Sequence, residues 1–327
     1  MDLAACSTVN DIAGQHGQTV HVVVTCTNRK RGVAPEHLRV RSLGTGSVDV
    51  RCEEWVQRLS AASAARPASD MYAGEHWLIA RGLAEIAGED ATLWVCSAGY
   101  GLIRVDARIA PYAATFAAGH EDSVAPDMAG ARRWWEQLAA WDGLQAGQPR
   151  SFTALARRDP DAAIVAVLSE PYLRACATDL RDAAKALTSE DSLSIIGPGG
   201  RSSEVDEFVI PVTAALTPVL GGSLLSLNAR AAAHVLEAGR ASGEPVSRSM
   251  LAKLMADATA GAPQTAPKAP GIRMADEEVR AFIRKHLVYG PTSATALLRE
   301  LRRSGRSCEQ ARFRELFLAE ARSGGWR

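Results

Sequence analysis

Apolar and polar positions change rhythm repeatedly along the chain, and each change marks an element. Thr19 to Thr25 is a short apolar, β-branched run, too short for a helix, and predicts a first buried strand. "HLRVRSL", His37 to Leu43, alternates apolar with polar and predicts a half-exposed strand. Apolar residues at helical spacing predict helices over Val50 to Ala65 and over Glu75 to Gly88, the second with a glycine stop. "ATLWVC" (Ala91 to Cys96) predicts another strand, and a Trp-rich helix follows from Asp127 to Trp141. "AAIVAVLS" (Ala162 to Ser169) is a continuous buried strand, with a helix after Pro171 to about Leu187. "SLSIIGPGG" and "EFVIPV" give two further strands, and "LLSLNARAAAHVLEAG" a helix. Strands that are uninterrupted apolar runs, alternating with helices, predict an α/β fold: a mostly parallel central sheet sandwiched by helices.

The rhythm stops after Ala260. "GAPQTAPKAPG", Gly261 to Gly271, is dense in proline and glycine and reads as a linker between an α/β domain over 1–260 and a tail over 272–327. The tail divides into three helices. The first carries Asp276, Glu277 and Glu278 in its opening turn, the second has Thr292 or Ser293 as N-cap and stops at Gly305, and the third opens at Ser307.

Charge changes that picture. The chain of 327 residues has 37 basic and 37 acidic side chains. Gly271 to Arg327 nevertheless holds 12 Lys+Arg against 7 Asp+Glu, a net of +5, leaving −5 on the rest. Three short helices with a basic third resemble helix-turn-helix or winged-helix modules, in which arginines hold phosphates. Arg302, Arg303, Arg306, Arg312 and Arg314 are the expected contacts to nucleic acid, against the alternative of a helical protein-interaction cap with a solvated charged face. Six scattered cysteines without a CxxC pair argue for free thiols and against structural zinc. The N-terminus lacks a basic, then apolar, leader, and no apolar run approaches the ~20 residues of a membrane span, so a soluble cytoplasmic protein with no membrane partner is expected.

Parallel sheets place chemistry outside the carboxyl ends of their strands. Here those ends read Cys26-Thr27-Asn28, Ser97-Ala98-Gly99-Tyr100-Gly101, Ser169-Glu170-Pro171-Tyr172 and Gly197 to Ser203, which includes Arg201. Each has a plain reading as well. Cys26 has no histidine at a family spacing, so a small buried residue is the simpler account. Asp70, before a helix, caps it or faces the cleft. "GPGG" lacks any dinucleotide or P-loop fingerprint, and no cofactor or metal is expected. Tyr100 between two glycines reads either as a platform for a flat ligand or as core packing.

"VTCTNRK", "ASDMY" and "CSAGYGLIRVDARIAPYAATF" together resemble a bacterial family with the pattern V-x-C-S-x-x-K, D-L-Y and L-S-A-x-Y-G-L followed by I-x-x-Y. That family is similar to the core domain of archaeosine synthase and, more distantly, to the uracil-DNA glycosylase fold. The match covers Cys26, Lys30, Asp70, Tyr72, Ser97, Tyr100, Gly101, Leu102 and Tyr112, and more weakly Ser169, Tyr172 and Asn228; Thr27 stands where serine is usual. The resemblance implies a DNA glycosylase acting in anti-phage defence on a modified base in double-stranded viral DNA. Asp70 and Asn28 would be the catalytic residues, Asp70 as the carboxylate with Glu170 next in line and Asn28 as an amide that reads a base edge. Cys26, Thr27, Tyr72, Ser97, Tyr100, Gly101, Tyr112, Ser169 and Glu170 would surround the base. Arg29, Lys30, Arg31 and Arg201 would hold flanking phosphates. A deazaguanine-type transglycosylase, an enzyme of free nucleotides and a non-catalytic DNA-binding stress protein remain alternatives.

Overall fold

The computed structural model describes residues 17–63, 66–202, 204–262, 271–287 and 293–323. The chain divides into two compact units, Met1–Pro263 and Gln264–Arg327.

The first unit opens with β1 (Val20–Thr25), then α1 (Val48–Ala61), the two-residue β2 (Arg66–Pro67), α2 (Ala68–Met71), α3 (Glu75–Ala80) and α4 (Leu83–Ala87). Next come β3 (Ala91–Ser97), β4 (Gly101–Arg104), β5 (Arg108–Ile109), α5 (Met128–Ala140) and α6 (Phe152–Arg158). After β6 (Ala163–Val167) follow α7 (Glu170–Ala175), α8 (Ala177–Ala186), β7 (Leu193–Gly197), β8 (Val209–Pro211), α9 (Thr217–Leu220), α10 (Leu227–Ser242) and α11 (Arg248–Ala260). Six strands form one sheet in the order β4-β3-β1-β6-β7-β8, parallel except for the β3–β4 hairpin. Every residue of β1, β6 and β7 is buried, which requires cover on both faces. Helices α3, α4, α10 and α11 form one covering group, and α1, α5, α6, α7 and α8 another.

The sheet reverses its winding between its two central strands. Chain leaving β1 crosses to β3 on one side, and chain leaving β6 crosses to β7 on the other. The two departing segments diverge and leave a crevice at the carboxyl ends of β1 and β6, where open α/β sheets bind ligands.

Three expected elements of the first unit differ. His37 to Leu43 forms two 3₁₀ turns, Glu36–Leu38 and Val40–Ser42, instead of a strand. Its alternation is real, since Leu38 and Val40 are buried. However, the Arg58 guanidinium donates to the His37 and Ser42 carbonyls, and Ser42 Oγ donates to the Glu36 and Arg39 carbonyls, which folds the segment on itself. The helix expected over Glu75 to Gly88 breaks at Arg81-Gly82, where Gly82 N donates to the Ile79 carbonyl in a tightened last turn. The helix after Pro171 breaks at Cys176, whose Sγ lies 3.7 Å from that of Cys96 with both thiols free.

The second unit contains β9 (Ile272–Arg273), α12 (Asp276–Leu287), α13 (Ala294–Arg303), β10 (Arg306–Ser307) and α14 (Gln310–Ser323). Ser293 caps α13 by accepting from Ala296 N at 3.2 Å, while Thr292, the other cap candidate, lies outside the described residues. Val279, Ile283, Leu297, Leu301 and Phe313 centre a core of its own. The last helix begins at Gln310 and not at Ser307, because Arg306-Ser307 pairs in parallel with Ile272-Arg273. No helix among the described residues is long and apolar enough to cross a membrane.

Candidate functional site

The crevice at the switch point has a volume of about 570 Å³, within the ~300–1,000 Å³ usual for small-ligand sites. Five segments build it, one of them the loop that carries Thr115 and Ala117. The β1 end supplies Thr25 to Arg29, the start of α3 supplies Gly74, Glu75 and His76, the β6 end supplies Leu168 and Ser169 with Tyr172, and the approach to α10 supplies Ser223, Leu225 and Asn228.

Specific bonds tie the other four segments together. Asn228 Nδ2 donates to the Leu168 carbonyl at 2.9 Å, tying α10 to the end of β6. Cys26 Sγ and Tyr172 Oη lie 3.1 Å apart beneath the crevice. Gly74, with φ +102°, turns the chain from the Tyr72 bridge into α3, a conformation that favours glycine. Glu75 follows at once, its Oε1 accepting from Arg230 Nη2 at 2.8 Å, Ser226 Oγ at 3.0 Å and Ser223 N at 3.3 Å. The Arg230 guanidinium, helped by these serines, holds the Glu75 carboxyl down at about 2, so it is ionised at neutral pH. Burial pushes the neighbouring His76 imidazole below the ordinary histidine value, against a weaker upward pull from its bond at Thr25. A fixed anion and an uncharged base therefore stand side by side on one crevice wall.

Of the residues expected from sequence, the structure brings Cys26, Thr27, Asn28, Arg29 and Ser169 to this crevice. Asn28 and Arg29 are exposed at its rim. Asp70 is not there. It lies exposed in α2, caps no helix and lines none of the cavities described, and the bond described for it is the one accepted from its neighbour Ser69 at 3.4 Å. Glu170 also misses the crevice, facing Arg174 at 3.8 Å and Arg201 at 3.7 Å. Arg201 is thereby placed opposite a carboxylate and not on the crevice wall.

The tyrosines answer differently from the platform expectation. Tyr72, Tyr100 and Tyr112 are all about 1% exposed. Tyr100 accepts from Ala110 N at 3.1 Å and packs edge-on against Tyr112, with ring centroids 5.0 Å apart. Its flanking glycines serve the hairpin: a Cβ at Gly99 would collide with the Tyr112 ring, and Gly101 turns the chain at φ +71°. Tyr112 Oη meets Ser97 Oγ at 2.6 Å and Tyr72 Oη at 3.0 Å, so these residues form a buried hydroxyl chain and no base-stacking face. Gly101 is likewise buried inside β4.

The cationic loop splits as well. Arg29 and Arg31 are exposed, whereas Lys30 turns inward over Tyr112. In the second unit, Arg302 and Arg303 join Arg299 around a cavity of about 430 Å³ between α13 and the start of α14. Arg302 donates to the Cys308 carbonyl at 3.3 Å, and Arg312 is committed to an ion pair with Asp276. Arg306 and Arg314 are exposed.

Sequence reasoning missed Glu75 and His76, which sat unremarked inside an amphipathic pattern. The signal available was Gly74 directly before an acid and a histidine, on the segment following the first strand's cluster. No protein-family model, curated protein or solved structure matches this chain.

Proposed function

We propose that the chain hydrolyses the N-glycosidic bond of a modified base in double-stranded DNA, viral DNA being the expected source, with the base turned out of the helix into the switch-point crevice. The observation that carries this reading is the pairing of an ionised Glu75 with an uncharged His76 in a crevice also lined by the amides Asn28 and Asn228. Cleavage builds positive charge on the sugar, which a fixed carboxylate stabilises. Water adds to C1′, the bonding pair leaves with the base nitrogen, and neutral His76 takes the proton released by water. The two amides offer donors and acceptors to the base edge. Arg29 and Arg31, exposed at the adjoining loop, suit flanking phosphates. Glu75 takes the role first expected of Asp70, because it is the carboxylate that lines the crevice.

The test incubates the full chain with modified and plain duplex DNA and then heats in alkali, which breaks the strand at abasic sites. Breaks are expected with modified DNA only. Glu75→Gln should lower the rate by about 10²-fold or more, and Asp70→Asn should stay within about twofold, both with unchanged circular dichroism. Absence of breaks on every modified DNA overturns hydrolysis; incorporation of a labelled free base without breaks would make the enzyme a transglycosylase.

A further inference from the structure

Lys30 is set apart from the other cations of its loop. Its backbone is clamped: Arg31 N donates to the Met71 carbonyl at 2.7 Å and Ala73 N to the Arg29 carbonyl at 2.9 Å, an antiparallel bridge between Lys30 and Tyr72. The clamp turns its side chain inward, with Nζ 4.2 Å from the Tyr112 ring centroid and 6.0 Å from that of Tyr72. Among the described residues Lys30 forms no ion pair and its amine no hydrogen bond. Asp122 is engaged elsewhere, with Arg39 at 3.7 Å and Arg41 N at 3.2 Å. Burial lowers the affinity of the amine for its proton, and the more distant Cys26 and Asp122 oppose this only in part.

Lys30 lines a second cavity, of about 330 Å³, together with Asn28, Thr115, Glu121 and Asp122. Asn28 and Thr115 also line the crevice, so the two spaces adjoin there. An amine on an aromatic perch, in no ion pair and beside a carbohydrate-sized space, is placed for addition to a carbonyl carbon.

We infer that Lys30 is an imine-forming nucleophile that captures the aldehyde of a ring-opened deoxyribose. The inference rests on the proposed function only for the source of that aldehyde, the sugar left when the base departs. Neutral Nζ adds to C1′, and the carbonyl pair moves onto oxygen. Two protons pass in turn from nitrogen to that oxygen, the first giving the carbinolamine and the second letting the oxygen leave as water as the C1′=Nζ bond forms. No oxidant or reductant takes part. The imine would hold the abasic product on the enzyme.

The sequence contains five lysines, Lys30, Lys185, Lys253, Lys268 and Lys285, so an adduct can be assigned by peptide mapping. Full-length protein is mixed with duplex DNA carrying a preformed abasic site, or with 2-deoxyribose 5-phosphate, and cyanoborohydride reduces any imine to a stable amine. The expected result is a DNA adduct on the Lys30 peptide, reduced about tenfold or more in Lys30→Arg. Mapping the wild-type adduct decides the matter even if the variant misfolds. No adduct with either probe, or adducts spread over the other lysines, overturns the inference. An adduct on Lys30 with the sugar phosphate alone supports the amine chemistry and removes DNA as its source. Because the abasic site is supplied, a failure of base release leaves this readout unaffected.

Discussion

Removing one oxygen from the centre of the tyrosine cluster should cost the first unit measurable stability, and proton bookkeeping says why. Ser97 Oγ accepts from Gly99 N at 3.2 Å and from Tyr100 N at 3.0 Å, which uses both of its lone pairs. Its own proton must therefore go to Tyr112 Oη, 2.6 Å away, and Tyr112 in turn donates to Tyr72 Oη at 3.0 Å. Tyr112→Phe deletes the acceptor of a Ser97 proton that is fully buried. A buried donor left without a partner costs about 1–3 kcal/mol. For a unit of this size each kcal/mol shifts the melting midpoint by roughly 2–4 °C, so a drop of several degrees is expected. Tryptophan fluorescence in urea isolates the effect, because six of the seven tryptophans (all but Trp326) lie in the first unit. The ring survives in this variant, so Lys30 keeps its perch and the adduct yield should not change. A midpoint indistinguishable from wild type, or a loss under about 0.5 kcal/mol, would refute the directional hydroxyl chain.

Two further outcomes follow from the charges. On the proposed function, deleting 264–327 should weaken DNA binding and flatten its dependence on salt, since phosphate contacts by Arg299, Arg303, Arg306 and Arg314 would release counterions; unchanged affinity and slope by fluorescence anisotropy would assign the second unit another role. The folded-state pKa of His76 is below its unfolded value, so the unfolded chain binds the extra proton first. Its contribution to stability is fully present above the unfolded value of about 6.5 and is lost as pH falls toward the folded one. Urea midpoints of wild type and His76→Gln should therefore converge with acidification over that window, and parallel curves would deny the buried neutral imidazole.

What could be read in advance follows from how many physical constraints a segment satisfies by itself. Val20–Thr25, Ala163–Val167 and Leu193–Gly197 were legible because burial on both faces leaves only one kind of sequence, a short unbroken apolar run. The convergence of the β1 and β6 ends was legible too, since parallel strands must release their chain at one edge. His37 to Leu43 was not, because its alternation reports burial of Leu38 and Val40 while the backbone partners come from Arg58, sixteen or more residues away. Tyr100 misled for a similar reason. Glycines beside an aromatic allow close approach, but the sequence cannot say whether the approaching group is a ligand or, as here, the ring of Tyr112.

Asp70 and Glu75 show where that limit bears on chemistry. Both are acids on short helices after the same strand, five positions apart, and local pattern does not separate them. What separates them is Gly74, whose positive φ redirects the chain between them, and Arg230 with Ser226, which reach Glu75 from about 150 residues further on. The carboxylate that lines the crevice is thus selected by the packing of α10 across the sheet edge, and Asn228 on that same helix fixes the packing by bonding to the end of β6. Lys30 is selected in the same way, its direction set by the bridge to Tyr72 and its surroundings by Tyr112. Glu75 and Lys30 are thus each directed by the backbone beside them, the one by Gly74 and the other by the Tyr72 bridge, and each is met by a partner distant in sequence, Arg230 or Tyr112.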